Sequence, residues 1–310
     1  LATELAGVVR EASPRQLIVV ERTLSAGDDW AMDADQNFFL IPDDNVLYEF
    51  HSYSPIEYTH QLAEWTTFGE GGPYPDESRI SSGTLTWNSW SWTPMPPYVP
   101  SGDSDWTYYE SEKYAVPDGI AVLAPALISE LNTGTVWFDD LVVKEFDENG
   151  EFVRNVIELD LETMNGWYFW KAVYEGSGEA STEAHSGTCS LVISGTDHDA
   201  NLQNDALRFV PRAGHRYSIG AFMKGENISD ESRPDPRGDW TQVSRALVRL
   251  DFYEADGPVL TRNKEALAAE LDRALAWGEA NDVPLYLGEF GVIRYCFEQD
   301  RGGLKWVGDM

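Results

Sequence analysis

Two kinds of sequence pattern alternate along this chain of 310 residues, and their order limits the folds open to it. Residues 1–77 and 258–310 combine helix-like apolar spacing with short buried-type strands, the alternation of an α/β protein. Residues 78–257 instead contain short runs rich in β-branched and aromatic residues, punctuated by Gly, Pro, Asn and Asp. Such runs predict an antiparallel β-sandwich. We therefore expect an α/β domain, 1–77 and 258–310, that is interrupted by an inserted all-β domain, 78–257.

The first α/β segment predicts one helix and two strands. Apolar residues at helical spacing open the chain, and Ser13-Pro14 ends that helix. These apolar residues are Leu1, Leu5, Val8 and Val9. Buried-type strands follow at 16–20 and 45–53. The chain begins within the helical pattern and stops soon after the last strand, so we expect both ends to be cut.

The second α/β segment predicts a helix and then a strand that ends in an acid. Thr261 or Asn263 can cap a helix that ends near Asn281; it carries Leu267, Leu271 and Leu275. The run from Pro284 to Gly288 is typical of a buried parallel strand, and Glu289 follows at once. In α/β folds such strand ends carry the chemistry. On this stretch alone, a catalytic acid and a turn-capping acid explain Glu289 equally well.

His51 and Tyr53 stand at the end of the strand predicted at 45–53. Side chains at positions i and i+2 of a strand point to the same side, so both rings are expected to face one pocket. The alternative is a pair of core aromatic residues, which is the commoner arrangement for these residue types.

Composition excludes some partners. The chain has 53 acidic and 22 basic residues, a net charge of −31, whereas nucleic-acid binding needs clustered Lys and Arg. No apolar run approaches the length of a membrane span, so we expect no membrane partner. The two cysteines, Cys189 and Cys296, fall in different predicted domains and are expected to be free thiols.

The strand NVLYEFHSY, the downstream YTHQ and the later VPLYLGEFGV together resemble glycoside hydrolase family 5, the endoglucanase-like (β/α)8 barrels. The resemblance covers residues 1–77 and 258–310. It implies a retaining hydrolase of β-1,4-glucan that needs no cofactor for catalysis. It also implies that Glu289 is the nucleophile, that His51 and Tyr53 line the site, and that the Tyr53 hydroxyl bonds the nucleophile.

The family pattern also contains parts that we do not match in this chain. The family's acid/base Glu follows an Asn at the end of the fourth strand, and the strands placed here resemble the fifth, sixth and seventh. Three parallel strands cannot close a barrel of eight, so a second chain completing the barrel is an expected partner. The resemblance implies a secreted protein, although we recognise no signal peptide in this chain. The alternative functions are a non-catalytic carbohydrate-binding protein with barrel remnants, or an incomplete gene product.

The insert resembles the jelly-roll carbohydrate-binding modules of polysaccharide hydrolases. The run GTVWFDDLVV (134–143) resembles their closing strand. Three later runs resemble the opening half of these modules: NGWYFW (165–170), HSGTCSLVISG (185–195) and HRYSIGAFMKGENI (215–228). Because the closing half comes first, we hypothesise a single circularly permuted jelly roll, with two partial modules in tandem as the alternative.

Aromatic residues make up 13% of the chain, and aromatic faces suit sugar rings. The candidates for sugar contact are Trp90, Trp92 and Trp106 in the insert and Trp65 in the loop after the His51 strand. The alternative is that these rings fill a core. Asp139 and Asp140 lie beside the closing strand, where related modules hold a structural Ca²⁺; a hydrogen-bonded pair is the alternative.

Overall fold

The computed structural model describes residues 1–21, 39–88, 97–230, 232–234, 241–298 and 300–310. Its α-helices are α1 (Ala2–Ala12), α2 (Ile56–Thr59), α3 (Lys264–Asn281) and α4 (Gly303–Asp309). Its strands are β1 (Ile18–Glu21), β2 (Val46–Ser52), β3 (Asp76–Ser82), β4 (Leu85–Trp87), β5 (Gly102–Glu110), β6 (Tyr114–Ala115), β7 (Ile120–Asn132), β8 (Thr135–Phe146), β9 (Phe152–Leu159), β10 (Tyr168–Ser181), β11 (Ser190–Gln203), β12 (Arg216–Ile228), β13 (Ser232–Pro234), β14 (Thr241–Val243), β15 (Arg245–Ala255), β16 (Leu260–Arg262) and β17 (Leu285–Phe290). Short 3₁₀ helices occur at Asp205–Leu207 and Arg294–Phe297.

The chain divides into two compact units. The α/β unit comprises 1–63, 71–76 and 262–310, and the β unit comprises 64–70 and 77–261. The segment 64–70, which the sequence pattern places in the first α/β segment, thus belongs to the β unit. There the Gly166 N–H donates to the Thr67 carbonyl at 2.5 Å, which holds the segment to the loop before β10.

A parallel sheet of three strands, in the order β1-β2-β17, forms the centre of the α/β unit. Ile18 pairs with Val46 on one side of β2, and Leu285 pairs with Tyr48 on the other. Helix α1 precedes β1 and helix α3 precedes β17. The predicted helix–strand alternation is therefore confirmed, and the two distant α/β segments contribute neighbouring strands to one sheet.

Helix α3 begins and ends where the sequence predicts. Asn263 is its N-cap, and the side-chain oxygen of Asn263 accepts a hydrogen bond from the Ala266 N–H at 3.1 Å. Leu267 is buried and Leu271 packs against the core, whereas Leu275 is exposed. The four-residue leucine spacing is thus wrong as a guide to the buried face, because helical positions eight residues apart drift around the axis.

Helix α1 forms where predicted, but its large apolar residues do not build the core. Leu1, Leu5 and Val8 are exposed, and Ala6 is the residue of α1 that is buried. The core between α1, α3 and the sheet contains Ala6, Val20, Ile41, Val46, Tyr48, Phe50 and Ala274. A small residue faces the sheet because it lets the helix approach closely, so apolar periodicity alone pointed to the other face.

The β unit is built on an antiparallel sheet of ten strands. Its main order is β4-β15-β7-β11-β8-β12-β5, while β10 pairs with β11, β6 with β12, and β9 with β8. Strand β11 changes partner along its length: residues 198–203 pair with β7, and 191–194 pair with β8. The predicted antiparallel strand pairing of the insert is confirmed, and its description as a sandwich or jelly roll stays a hypothesis.

The largest core cluster of the β unit contains residues from both halves of the insert. Leu127 and Phe138 from the first half share it with Leu191, Ile219 and Leu250 from the second half. Strands of the two halves also alternate in the same sheet. This arrangement is the one expected of a single module rather than of two tandem sandwiches, and the origin by permutation stays a hypothesis.

Three predicted strand runs have different bounds in the structure. The run 81–87 is divided between β3 and β4, with Gly83 between them, whereas 135–138 and 141–144 join into β8. Asp140 lies in β8 with a left-handed φ of 49°, and β8 is irregular in its pairing with β12 there. A local bend thus resembled a turn in the sequence.

Two absences apply to the described part of the chain. No helix there is long and apolar enough to cross a membrane. Cys189 and Cys296 are not joined in a disulfide, so the prediction of free thiols is confirmed.

Candidate active site

Side-chain alternation along β2 separates a core face of the sheet from an open face. Tyr48 and Phe50 are buried in the core of the α/β unit, whereas Glu49 and His51 point the opposite way and are partly buried. Tyr53 follows directly after the strand, in phase with His51. The sequence alternation thus places three polar groups on the open face.

Strand β17 contains a bulge at Gly288. Leu287 pairs with Phe50, but it is Glu289, not Gly288, that pairs with His51. Without the extra residue, Glu289 would pair with Ser52, whose side chain is on the core face of β2. The bulge therefore directs the glutamate to the open face that carries His51.

Two side chains contact the Glu289 carboxylate. Nδ1 of His51 lies 3.1 Å from Oε2 of Glu289, and the Tyr53 hydroxyl interacts with the Glu289 side chain. Burial, together with this hydrogen-bonding interaction and the charge of Glu289, raises the pKa of Tyr53, so the phenol stays protonated. The Glu289 side chain is 58% exposed, which leaves the carboxylate open to an incoming molecule.

His51 has carboxylates at both ring nitrogens. Its Nε2 lies 3.5 Å from Oε1 of Glu49 and 3.8 Å from Oε1 of Glu21. Glu21 is the last residue of β1 and pairs directly with Glu49 across the sheet. Neither glutamate was predicted to have a role. The sequence signal for Glu49 is its position two residues before His51 in β2, and Glu21 occupies the paired position of β1.

The end of β2 is fixed to α3 from the core side. The buried Ser52 hydroxyl donates to Oε1 of the buried Glu270 at 3.1 Å. Because Ser52 lies between His51 and Tyr53, this hydrogen bond holds the backbone that carries both site residues.

His60 is a further site residue that sequence reasoning missed. Its ring lies edge-on to Tyr53 with centroids 5.0 Å apart, and its Nδ1 is 3.0 Å from the Thr59 hydroxyl. Burial lowers the pKa of His60, and the charge of Glu289 acts in the opposite direction. The available signal was the YTHQ run itself, which contains Thr59 and His60.

The rest of the YTHQ run fixes the loop after β2. Tyr58 is fully buried, and its hydroxyl donates to the Arg301 carbonyl at 2.9 Å. The Gln61 side chain, also fully buried, accepts from the Gly71 N–H at 3.2 Å and donates to the Gly72 carbonyl at 3.1 Å. These contacts hold the loop that brings His60 against Tyr53.

The predicted sugar-contact tryptophans are distributed as follows. Trp65 is 73% exposed. Trp106 is half-buried, with its ring 6.0 Å from that of His185 in an edge-on contact. Trp90 and Trp92 lie outside the described residues.

Asp139 and Asp140 accept hydrogen bonds from the turn at residues 185–186. Oδ2 of Asp139 accepts from the His185 and Ser186 N–H groups at 2.8 and 3.0 Å. Oδ1 of Asp140 accepts from the Ser186 hydroxyl at 2.8 Å, and its Oδ2 lies 2.7 Å from Nδ1 of His185. Among the described residues, no group of three or more His, Cys, Asp or Glu side chains is placed to hold a metal ion.

Two aromatic residues of β10 form a second candidate surface, on the β unit. Tyr168 and Trp170 are 41% and 46% exposed and pair with Gln203 and Asn201 of β11. The Tyr168 hydroxyl donates to Oε1 of Gln203 at 2.7 Å. Asn201 is 7% exposed, and its Oδ1 has no hydrogen-bond partner in the described part of the chain. Trp170 lies in the NGWYFW run, but it is not among the residues that the sequence predicts to contact sugar.

A family model described as cellulase (glycosyl hydrolase family 5) matches residues 1–124. The match includes β2 with His51 and Tyr53 and covers less than half of the chain; Glu289 lies outside it. It suggests glycoside hydrolase activity on a polysaccharide and, for the α/β unit, a fold like that of a (β/α)8 barrel. No curated protein matches the chain.

Proposed function

We propose that this chain carries the nucleophile half of a retaining glycoside hydrolase acting on β-1,4-glucan. The observation that carries the proposal is the contact of the exposed Glu289 carboxylate with His51 and Tyr53, on a strand within the family match. A carboxylate used as a nucleophile must be ionised, oriented and open to substrate. Two polar groups hold Glu289, and more than half of its surface is free.

In the proposed reaction, one Glu289 oxygen attacks the anomeric carbon while the bond from that carbon to the leaving oxygen breaks. The leaving oxygen keeps the electron pair and takes a proton from a general acid. Water then attacks the anomeric carbon, gives its proton to the base form of that acid, and releases Glu289 as a carboxylate. His51 and Tyr53 stabilise Glu289 as nucleophile and as leaving group.

The acid/base glutamate of the resembled family has no matched counterpart in this chain. A dinitrophenyl β-cellobioside does not need protonation of its leaving group by that acid, because dinitrophenolate leaves without a proton. We expect a burst of dinitrophenol from the purified chain, a covalent sugar adduct on Glu289 by mass spectrometry, and faster turnover with azide as acceptor. Retention predicts a β-glycosyl azide by NMR.

The matched control is Glu289→Gln, which keeps the size of the side chain and removes the nucleophile. Release of dinitrophenol at the same rate by this variant would place the chemistry elsewhere and refute the assignment. Hydrolysis of soluble β-glucan, mixed-linkage glucan and mannan by the wild-type chain would then distinguish the substrates.

We also propose that the missing barrel wall is supplied by further strands, from a second chain if they are not part of the same one. On the open face, Val19 and Tyr286 are about half exposed beside the site, although both lie on strands of the sheet. Covering the exposed half of each side chain would stabilise the site by about 0.7–1.5 kcal/mol per residue. Light scattering at increasing protein concentration tests for a second copy. A polysaccharide substrate favours a secreted protein.

A second candidate function is glycan binding by the β unit, which does not require catalysis. It is favoured by the two exposed rings of β10, Tyr168 and Trp170, beside the polar side chains of β11. Rings stack on the apolar faces of sugars while amides bind the hydroxyls. The structural Ca²⁺ at Asp139 and Asp140 stays a proposal within this candidate; addition of EGTA should then lower the melting temperature of the β unit.

Affinity electrophoresis in β-glucan gels tests the binding function. We expect Trp170→Ala and Tyr168→Ala to lose retardation, whereas Phe152→Ala, which removes another exposed ring of the same unit, should keep it. Trp106→Ala and Trp65→Ala test the surfaces predicted from sequence. Glu289→Gln should bind as wild type does, so binding and hydrolysis can fail independently.

A further inference from the structure

We propose that Glu49 is a positioning residue for His51, and that Gly288 is the residue that makes room for it. The proposal rests on the proposed role of Glu289 as nucleophile. It concerns a glutamate that neither the sequence motifs nor the family resemblance assigns.

Glu49 lies two residues before His51 in β2, so both side chains are on the open face. Its Oε1 is 3.5 Å from Nε2 of His51, while Oε2 of Glu289 is 3.1 Å from Nδ1. Nε2 of the imidazole thus faces a carboxylate of β2, and Nδ1 faces a carboxylate of β17. A ring with carboxylates at both nitrogens cannot rotate without losing at least one of these contacts.

Gly288 supplies an independent observation. A Cβ built at this position would lie 1.7 Å from Oε1 of Glu49 and 2.5 Å from its Cδ. The backbone at Gly288 is not in the left-handed region, so conformation alone does not call for glycine. The absent side chain leaves the space that the Glu49 carboxylate occupies, directly before the nucleophile.

The proton arrangement explains why a second carboxylate matters. When the ring carries both protons, Nδ1–H is on the side of Glu289 and Nε2–H is on the side of Glu49, so neither carboxylate faces a lone pair. In the covalent intermediate, Glu289 becomes an ester and loses its charge. Glu49 then remains as the charged partner that keeps His51 in place until Glu289 leaves.

Glu21 gives the comparison within the same cluster. Its Oε1 approaches the same Nε2 at 3.8 Å, but its side chain is far more exposed than that of Glu49. Water screens an exposed carboxylate, so Glu21 should orient the ring less strongly. The proposal therefore predicts that the two glutamates differ in effect although both are near one nitrogen.

The test compares Glu49→Gln, Glu21→Gln and Gly288→Ala in the full chain. Ring ¹⁵N spectra of His51 are the readout that a merely structural role would not move. We expect Glu49→Gln and Gly288→Ala to change the Nε2 signal, and Glu21→Gln to change it less. On the dinitrophenyl β-cellobioside, Glu49→Gln should lower kcat about 10–100-fold, with KM within about two-fold; the loss is scaled from metal-bound imidazoles whose orienting partner is removed.

Folding is checked by thermal melting, and Glu11→Gln, an exposed glutamate of the same unit, is the control that should match wild type in every assay. An unchanged His51 signal in a folded Glu49→Gln variant would overturn the proposal, as would equal effects of Glu49→Gln and Glu21→Gln. If the wild-type chain releases no dinitrophenol, the proposed function fails, whereas the spectra still test the position of His51.

Discussion

Replacing single glycines by alanine in the α/β unit should separate a functional glycine from a structural one. Gly288 and Gly302 both lack room for a Cβ, but for different reasons. At Gly288 the obstacle is the end of the flexible Glu49 side chain. At Gly302 the Cβ would lie 1.7 Å from the Tyr74 carbonyl oxygen, and φ is +81°. A side chain can move, whereas the backbone of Tyr74 is tied by a hydrogen bond from its N–H to the Arg301 carbonyl.

The expected stability changes follow from these differences. For Gly288→Ala, an off-rotamer Glu49 costs about 0.5–1.5 kcal/mol and its weakened ion pair up to about 1 kcal/mol. The lower entropy of the unfolded chain offsets about 0.4–1 kcal/mol of this. The free energy of unfolding of this variant should therefore lie within about 2 kcal/mol of the wild-type value. For Gly302→Ala, the left-handed conformation alone costs about 1–2 kcal/mol, and the backbone clash adds to it.

Urea unfolding measures these changes, with Gly291→Ala as the control because a Cβ there meets nothing within 4 Å. We expect the order Gly291→Ala, Gly288→Ala, Gly302→Ala in increasing loss of the free energy of unfolding, at an unchanged m value. Only Gly288→Ala should also disturb His51. If Gly288→Ala lost as much stability as Gly302→Ala, or left the His51 spectrum unchanged, the position of Glu49 over Gly288 would be wrong.

Three further predictions concern charge, thiols and packing. Burial opposes ionisation of Glu145, but the hydrogen bond and charge of Arg154, together with the charges of Arg212 and His215, lower its pKa. Ionised Glu145 therefore stabilises the folded chain fully at pH values above the unfolded-state pKa. This stabilisation is lost as pH falls through the pKa of the folded state. Glu145→Gln should cost about 1–3 kcal/mol at pH 7 and weaken that acid dependence, as followed by urea midpoints at several pH values. Burial raises the pKa of the Cys296 thiol, so a thiol reagent should modify Cys189 first and Cys296 only on unfolding, as counted by mass spectrometry. Phe138→Ala empties a fully buried site of the β unit and should cost about 3–5 kcal/mol in calorimetry, whereas Phe152→Ala should cost little.

The elements of the α/β unit could be predicted because local signals agree there. The cap at Asn263 and the apolar runs of β1, β2 and β17 each act over a few residues. The predicted strand end at Gly288 was wrong, because β17 continues through Glu289 to Phe290. Pairing of β17 with β2 followed from a resemblance and not from local physics, since more than 200 residues separate them in the chain.

The face that a helix buries was harder to predict than the helix. Leu5, Val8 and Leu275 are exposed, while Ala6 and Ala274 lie in the core. Hydrophobic spacing selects the largest residues, but close packing of a helix on a sheet also selects the smallest. Which requirement applies depends on the distance between elements, and a single sequence does not contain that distance.

The site shows the same division between local pattern and long-range geometry. The phase of His51 and Tyr53 follows from the two-residue period of a strand, and this put both on one face. The two-residue period alone does not place Glu289 beside them. In a β17 without a bulge, Glu289 would pair with Ser52, on the core face of the sheet. The bulge at Gly288 reverses this, and Gly288 is also where the Glu49 carboxylate needs space. One glycine thus meets two requirements set by different strands. The sequence pattern took Gly288 for a strand end, and it contains neither the bulge nor the position of Glu49 that make this glycine part of the site.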